Sequence, residues 1–231
     1  MKIRTIAVLS VIAIATIGST AFQAVSIKWN PKVGTTYKYS MKANMNLGPM
    51  GEATMSAKMS TTAAKIEGEK VTLQTTQSDV KMTMGGQDQD SPGGTATQVC
   101  TLFGEVLSTK SEPESPIDLS RMYDAVSFIY PSKEIAVGGT WTRTGKLHNP
   151  SSVPSESVYK YEGDEEVNGM KCRKITYTFK ETNGGDKCTA SGTFWVSVDD
   201  TEMVKAVNSV KNCDLPGLGS FDMDSTTVRE K

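Results

Sequence analysis

A mainly β domain is predicted, built as one large curved antiparallel sheet or incomplete barrel of about ten strands with a single covering helix. Three observations predict it. Apolar and polar residues alternate along most of the chain. Turns rich in glycine, asparagine and aspartate punctuate that alternation. Only one stretch carries apolar residues at helical spacing.

The chain opens with Met1-Lys2-Ile3-Arg4, then an uncharged, mostly apolar run from Ile6 to Ile17, then Gly18-Ser19-Thr20-Ala21. A basic start, a short apolar run and a small-x-small ending make a secretory signal peptide over residues 1–21. The run is shorter than the roughly 20 apolar residues a spanning helix needs. Ser19 and Ala21 favour cleavage after Ala21, with Ala24 as the alternative. The expected mature part, residues 22–231, is one β-rich domain, exported to a periplasmic or extracellular space. No later segment is long and apolar enough to be a transmembrane helix.

The 231 residues carry 25 basic and 26 acidic side chains. Without Lys2 and Arg4 the balance is 23 against 26, a net charge of −3. Such a surface has no overall attraction for nucleic acid or anionic membranes.

Each element has its own pattern. From Thr36 to Leu47 the residues Tyr37, Tyr39, Met41, Ala43, Met45 and Leu47 share one face, a half-buried antiparallel strand. Gly48-Pro49-Met50-Gly51 turns the chain, and Ala53, Met55, Ala57, Met59 and Ala63 repeat the pattern. A third strand starts at Val71. Its apolar parity switches by Val80, Met82 and Met84, which predicts a bulge near Gln77. Gly85–Gly94 reads as a polar loop. Short strands at 96–102 and 105–109 flank a turn at Phe103-Gly104, and 110–116 reads as a linker. Asp118 is placed to cap a helix over 119–129, with Leu119, Met122, Tyr123, Val126 and Ile129 on one face and Pro131 ending it. Strands then follow at 140–147, 157–162, 170–182, 188–198, 203–213 and 221–229.

A weak internal echo pairs Val33-Gly34-Thr35-Thr36-Tyr37 with Val137-Gly138-Gly139-Thr140-Trp141. Two readings stand side by side: repeated halves at 33–110 and 137–231, joined through the helix, or ordinary turn-then-strand chemistry used twice.

Four cysteines, Cys100, Cys172, Cys188 and Cys213, form an even set, which in an exported chain favours disulfides. With Asp199–Glu202 taken as a symmetric turn, Cys188 and Cys213 fall opposite each other on neighbouring strands. That leaves Cys100 with Cys172; Cys172 with Cys188 is the competing pair. There is no CxxC and one histidine, His148, so zinc and haem sites of the usual kind are not expected.

Catalytic patterns are not found. His148 lies in a proline-bearing loop, and no GxSxG is present. The paired carboxylates Asp88/Asp90, Asp164/Glu165/Glu166, Asp199/Asp200 and Asp222/Asp224 fall in turns or on solvated strand faces. The glycine-rich segment after Met84 lacks the lysine of a phosphate loop. No cofactor and no catalytic residue are expected, and the reading is of a protein that is not an enzyme.

The methionines are the unusual feature. Met41, Met45, Met55, Met59, Met82 and Met84 project at strand parity towards one surface. Thioethers are flexible and polarisable, and suit irregular apolar partners. The surface reads as a core under the helix, as a groove for an acyl chain, or as a soft copper(I) site.

Val33-Gly34-Thr35-Thr36-Tyr37, Ile135-Ala136-Val137-Gly138-Gly139-Thr140-Trp141 and Thr193-Phe194-Trp195-Val196-Ser197-Val198-Asp199, on a long sheet with a mid-chain helix, resemble the bacterial lipoprotein-carrier fold of the LolA and LprG/LppX type. They also resemble exported bacterial proteins with a paired VGxTW layout. The resemblance implies a half-barrel enclosing an apolar cavity for lipid. The four cysteines and the single helix depart from the carrier pattern.

The expected function is therefore binding of a hydrophobic ligand such as a lipid or a lipoprotein's acyl group. Tyr37, Tyr39, Met41, Met45, Met55, Met59, Met82 and Met84 would line the site, with Met122, Tyr123 and Val126 as its cover. A structural or protein-interaction component of the cell envelope, its apolar face simply filled, is the alternative.

Overall fold

The computed structural model describes residues 23–91, 93–114, 118–145, 153–183, 187–215 and 219–231. The expected signal peptide and His148 lie outside them. The strands are β1 (Thr36–Asn46), β2 (Glu52–Glu67), β3 (Lys70–Met84), β4 (Gln87–Ser91), β5 (Gly94–Thr101), β6 (Val106–Glu112), β7 (Thr140–Gly145), β8 (Ser155–Val167), β9 (Met170–Glu181), β10 (Thr189–Ser197), β11 (Met203–Leu215) and β12 (Gly219–Arg229), with helix α1 (Ser120–Val126) between β6 and β7.

All twelve strands belong to one antiparallel sheet. Its order is β6-β5-β3-β2-β1-β12-β11-β10-β9-β8-β7, with β4 paired to β3 off that path. Two meanders thus lie side by side, β1 to β6 and β7 to β12, and the first and last strands join them. The join is a ladder from Tyr39↔Arg229 to Asn46↔Asp222.

The sheet is not closed, since β6 and β7 remain as edges. It curls until the β5–β6 turn reaches the second meander. Glu105 lies 3.6 Å from Arg143 of β7, and the Phe103 carbonyl accepts the Tyr130 N–H at 2.8 Å. Gly104 makes this approach possible: a Cβ there would stand 2.7 Å from the Phe128 carbonyl oxygen.

The predicted bulge is found two residues further on. Ser56 pairs with Lys81 but Lys58 pairs with Ser78, so β3 carries the extra residue, and Asp79 takes φ +50°. The segment expected as a polar loop is a hairpin instead. Gly85 and Gly86 both have positive φ and let Gln87–Ser91 fold back on β3 as β4. Consecutive positive φ angles are what a tight hairpin turn demands. The supposed linker begins inside β6, which runs to Glu112.

The helix is shorter than the predicted 119–129. Ser127 is already extended, at φ −73°, ψ 138°. The periodicity of Val126 and Ile129 does reflect one buried face, but Phe128, Ile129 and Tyr130 reach it as extended chain. The N-cap position is Leu119, without a side-chain cap; Asp118, the predicted cap, lies one residue earlier, and its carboxylate accepts the Ser120 N–H at 2.9 Å.

Burial concentrates on one sheet face. Ile175, Tyr177, Phe179, Phe194, Val210 and Tyr159 are buried there beside Ala125 of the helix. Gly192 of β10 lies on the same face by register, between Tyr177 and Asn208. A Cβ at Gly192 would stand 2.1 Å from the Val207 carbonyl oxygen and 2.8 Å from Tyr177 Cε1. Tyr177 thus occupies the space a side chain would need, and its hydroxyl meets Asn208 Oδ1 at 3.0 Å. Gly192→Ala should therefore cost about 2 kcal/mol or more, through overpacking against backbone that cannot retreat. A urea titration checks this; an unchanged midpoint would mean that the strand yields.

Candidate functional site

The register of β1 and β2 arranges methionine and alanine as a checkerboard. Met41 pairs with Ala57, Ala43 with Met55, Met45 with Ala53, and Tyr39 with Met59. On the next strand Met82 lies beside Met55 and Met84 beside Ala53. Cross-strand partners share a face, so these residues form one apolar surface. Ala43, Ala53, Ala57 and Ala63 are buried and make its floor. Met41, Met55, Met59 and Met82 are half-buried and stand as ridges, and Met84 is exposed.

Met45 packs against the main core, whereas Met41, Met55, Met59, Met82 and Met84 do not belong to it. Tyr37 is half-buried under the Arg229 guanidinium, 5.1 Å from its ring centre, and Tyr39 is buried.

The expected cover is elsewhere. Helix α1 packs on β9, β10 and β11 of the second meander. Met122 and Val126 rest on the core there, and Tyr123 is half-buried, its hydroxyl pushed above the usual phenol range by burial. Met45 apart, the predicted lining and its predicted cover therefore form two separate groups on one sheet.

The second meander's inner face is filled by aromatic rings. Phe128 meets Tyr130 and Tyr159 edge-on, at 4.6 and 5.8 Å, and lies tilted against Phe194 at 5.1 Å. Trp141 stacks on Tyr159 at 5.3 Å. Their polar tips satisfy the extended chain above them. Trp141 Nε1 donates to the Ile129 carbonyl and Tyr159 Oη to the Ser127 carbonyl, each at 2.8 Å. Sequence reasoning fixed on the methionines and passed over these rings. The strand positions of Trp141, Tyr159 and Phe194 on β7, β8 and β10 were readable; their meeting with residues 127–130 was not.

A buried ion pair holds the helix down. Arg121 donates from Nε and Nη2 to the two oxygens of Glu181, at 2.8 and 2.7 Å, and from Nη1 to the Asp214 carbonyl at 2.7 Å. Glu181 also accepts the Cys188 N–H at 2.9 Å.

The four cysteines are buried thiols. Cys188 and Cys213 are neighbours in the main core, although the β10–β11 ladder, with Thr189 opposite Lys211, runs one residue off the register that the turn argument expects. Cys100 on β5 and Cys172 on β9 are not brought together: β3, β2, β1, β12, β11 and β10 separate their strands. Burial pushes the Cys100 thiol up to about 11, and the Cys172 thiol donates to the Met170 carbonyl at 3.3 Å. The competing pair, Cys172 with Cys188, is not formed either, because Cys172 pairs with Ser197 at the other end of β10.

The acidic run keeps its solvated reading. Asp164 and Glu165 lie on β8, 3.2 Å from Lys171 and Lys174 respectively. Among the described residues no group of three or more His, Cys, Asp or Glu side chains could hold a metal ion. Clefts of about 430, 550 and 720 Å³ are lined chiefly by polar and charged side chains, such as Lys42, Asn44, Thr54 and Lys81 in the first. No described helix is long and apolar enough to cross a membrane.

No family profile matches the chain, and no curated protein does. Solved structures do. The hypothetical lipoprotein YmcC from Escherichia coli aligns over 84% of this chain and 87% of its own, at 15% identity and a TM-score of 0.34. A provisionally assigned lipoprotein from Parabacteroides distasonis aligns over 90% of this chain and 99% of its own, at 12% identity and a TM-score of 0.39.

One ionisable group at the base of the sheet makes stability depend on pH. Glu202 accepts Trp29 Nε1–H at 2.9 Å, and Trp29 stacks on Tyr130 at 6.0 Å. Burial, and then the charge of Asp200, hold the Glu202 carboxyl above its usual range. The native state thus binds this proton more tightly than the unfolded chain does. Its contribution is present at acid pH and is lost as pH rises through the native value. Glu202→Gln keeps an oxygen for Trp29 and removes the charge. The variant's urea midpoint should exceed that of the parent near neutral pH, and the gain should vanish below the ordinary carboxylate range. A gain that does not change with pH would show that charge is not the cause.

Proposed function

We propose that this is a non-catalytic protein of an extracytoplasmic compartment that binds a single long acyl chain on the inner face of its first meander. The exported location rests on the leader-like residues 1–21. The ligand reading rests on one observation: in the methionine–alanine checkerboard Ala43, Ala53 and Met45 join the aromatic core, whereas Met41, Met55, Ala57, Met59, Met82 and Met84 lie outside it.

The chemistry of that face suits an alkyl chain. The inward positions of β2 are Ala53, Met55, Ala57, Met59, Thr61 and Ala63, with no charged side chain among them. Three strands spaced roughly 4.8 Å apart give a strip about 10 Å wide, which matches an extended chain lying along it. Alanine leaves depth between the ridges, and unbranched methionine adapts to an irregular hydrocarbon without a fixed pocket shape. Each methylene taken from water contributes about 0.8 kcal/mol. The carrier-type resemblance of Val33–Tyr37 and Ile135–Trp141 points the same way.

Displacement of a fluorescent fatty acid by palmitate tests the proposal. Saturable binding is expected, with Met55→Glu weakening it at least tenfold, about 1.4 kcal/mol, by placing a carboxylate on the strip. Far-UV circular dichroism should be unchanged, because Met55 is outside the core. Absence of binding by the delipidated parent protein would overturn this reading and favour a structural or protein-interaction role in the envelope.

A further inference from the structure

Cys188 lies immediately before β10, and Cys213 lies near the end of β11. Both are fully buried within the main core. The ladder that pairs Thr189 with Lys211 would by itself set Cys188 opposite Asn212. A bulge in β11 changes this. Val210 pairs with Met223 and Cys213 with Phe221, so β11 holds one residue more than β12 between those pairs. Asn212 takes φ +54°, and its N–H is received by Asp222 Oδ1 at 3.0 Å. The extra residue turns Cys213 onto the inner face, on the side of the core where Cys188 lies.

The surroundings suit thiol exchange. The Cys188 thiol beside it, and after it the Arg121 guanidinium, hold the Cys213 thiol below its ordinary range. A thiolate is the attacking species in such exchange. Cys100 and Cys172 have no such setting, and burial raises both.

We infer that Cys188 and Cys213 form a disulfide that clamps the helix-anchoring end of the β10–β11 hairpin, while Cys100 and Cys172 stay as thiols. The oxidant is an organic or protein disulfide. The Cys213 thiolate attacks one of its sulfurs; that S–S bond breaks and the leaving thiolate takes up a proton. Cys188 then loses its proton and attacks the Cys213 sulfur, releasing the second external thiol. Two protein thiols and one external disulfide become one protein disulfide and two external thiols. The step takes place once the β10–β11 hairpin and Arg121 have come together around the pair and before the core closes over it.

The clamp bears on α1. Cys188 donates its backbone N–H to Glu181, and Cys213 adjoins Asp214; these two residues receive Arg121. The disulfide fixes the two strand ends that hold the helix.

The full chain refolded in a small-molecule disulfide buffer, alkylated in denaturant and digested, tests the linkage whatever compartment the protein occupies and whatever it binds. Expected are an intact mass two hydrogens below the reduced chain, alkylated Cys100 and Cys172, and a peptide joining Cys188 to Cys213. Four alkylated cysteines, or any linkage that includes Cys100 or Cys172, would overturn it. Hydrogen exchange supplies a second readout. The amides of Ser120–Val126 should exchange faster in the reduced protein and in the Cys188→Ser/Cys213→Ser double variant than in the oxidised parent. Equal rates in all three would remove the clamp from the helix.

Discussion

Two hydrogen bonds, from Trp141 to the Ile129 carbonyl and from Tyr159 to the Ser127 carbonyl, allow extended chain to lie against an apolar sheet. Backbone without regular structure is costly to bury unless its polar groups find partners. Aromatic side chains with polar tips solve both needs, because the ring fills space while the tip serves the carbonyl. Phe128 can then pack among Tyr130, Tyr159 and Phe194 without forming a further turn of helix. Tyr130 completes the arrangement through Thr201 and Phe103. The curl of the sheet follows, since the β5–β6 turn docks onto this same segment.

The inner face is therefore divided in its chemistry. Rings and the helix complete the second meander. The first meander offers alanine and methionine, with buried floor and half-buried ridges, and its methionines beyond Met45 contribute nothing to the core. The difference lies in side-chain size at matched sheet positions. Where β8 and β9 set Tyr159 beside Tyr177, β1 and β2 set Ala43 beside Met55. Large rings close a face on themselves. Small and flexible residues leave relief.

Much of the architecture could be read from alternation alone. Tyr39, Ala43, Ala53 and Ala57 are buried as their parity requires, and the change of parity in β3 exposed its bulge. Hairpin β4 was missed because Gln87-Asp88-Gln89-Asp90 has no apolar alternation, being a strand through backbone pairing and glycine geometry alone. The end of the helix was misplaced because Ile129 keeps helical spacing while its backbone is drawn out by tertiary partners. Cys188 and Cys213 were matched by a simple turn register that the β10–β11 ladder misses by one residue, and the β11 bulge restored the match. The cover was assigned to the methionines because sequence shows that a helix has an apolar face, not which half of a sheet receives it.

Strand β12 lies between β1 and β11, at the middle of the sheet, although it ends two residues before the last residue of the chain. Each meander is joined mainly through neighbouring strands, whose pairings close short loops. The β1–β12 ladder instead connects the two extremes of the chain, and such distant pairings form late because the chain entropy must be lost first. The sheet cannot be completed until residue 229 is available, and before that the two meanders share no ladder. The pairing of β12 with β1 is what joins two hairpin arrays into one sheet.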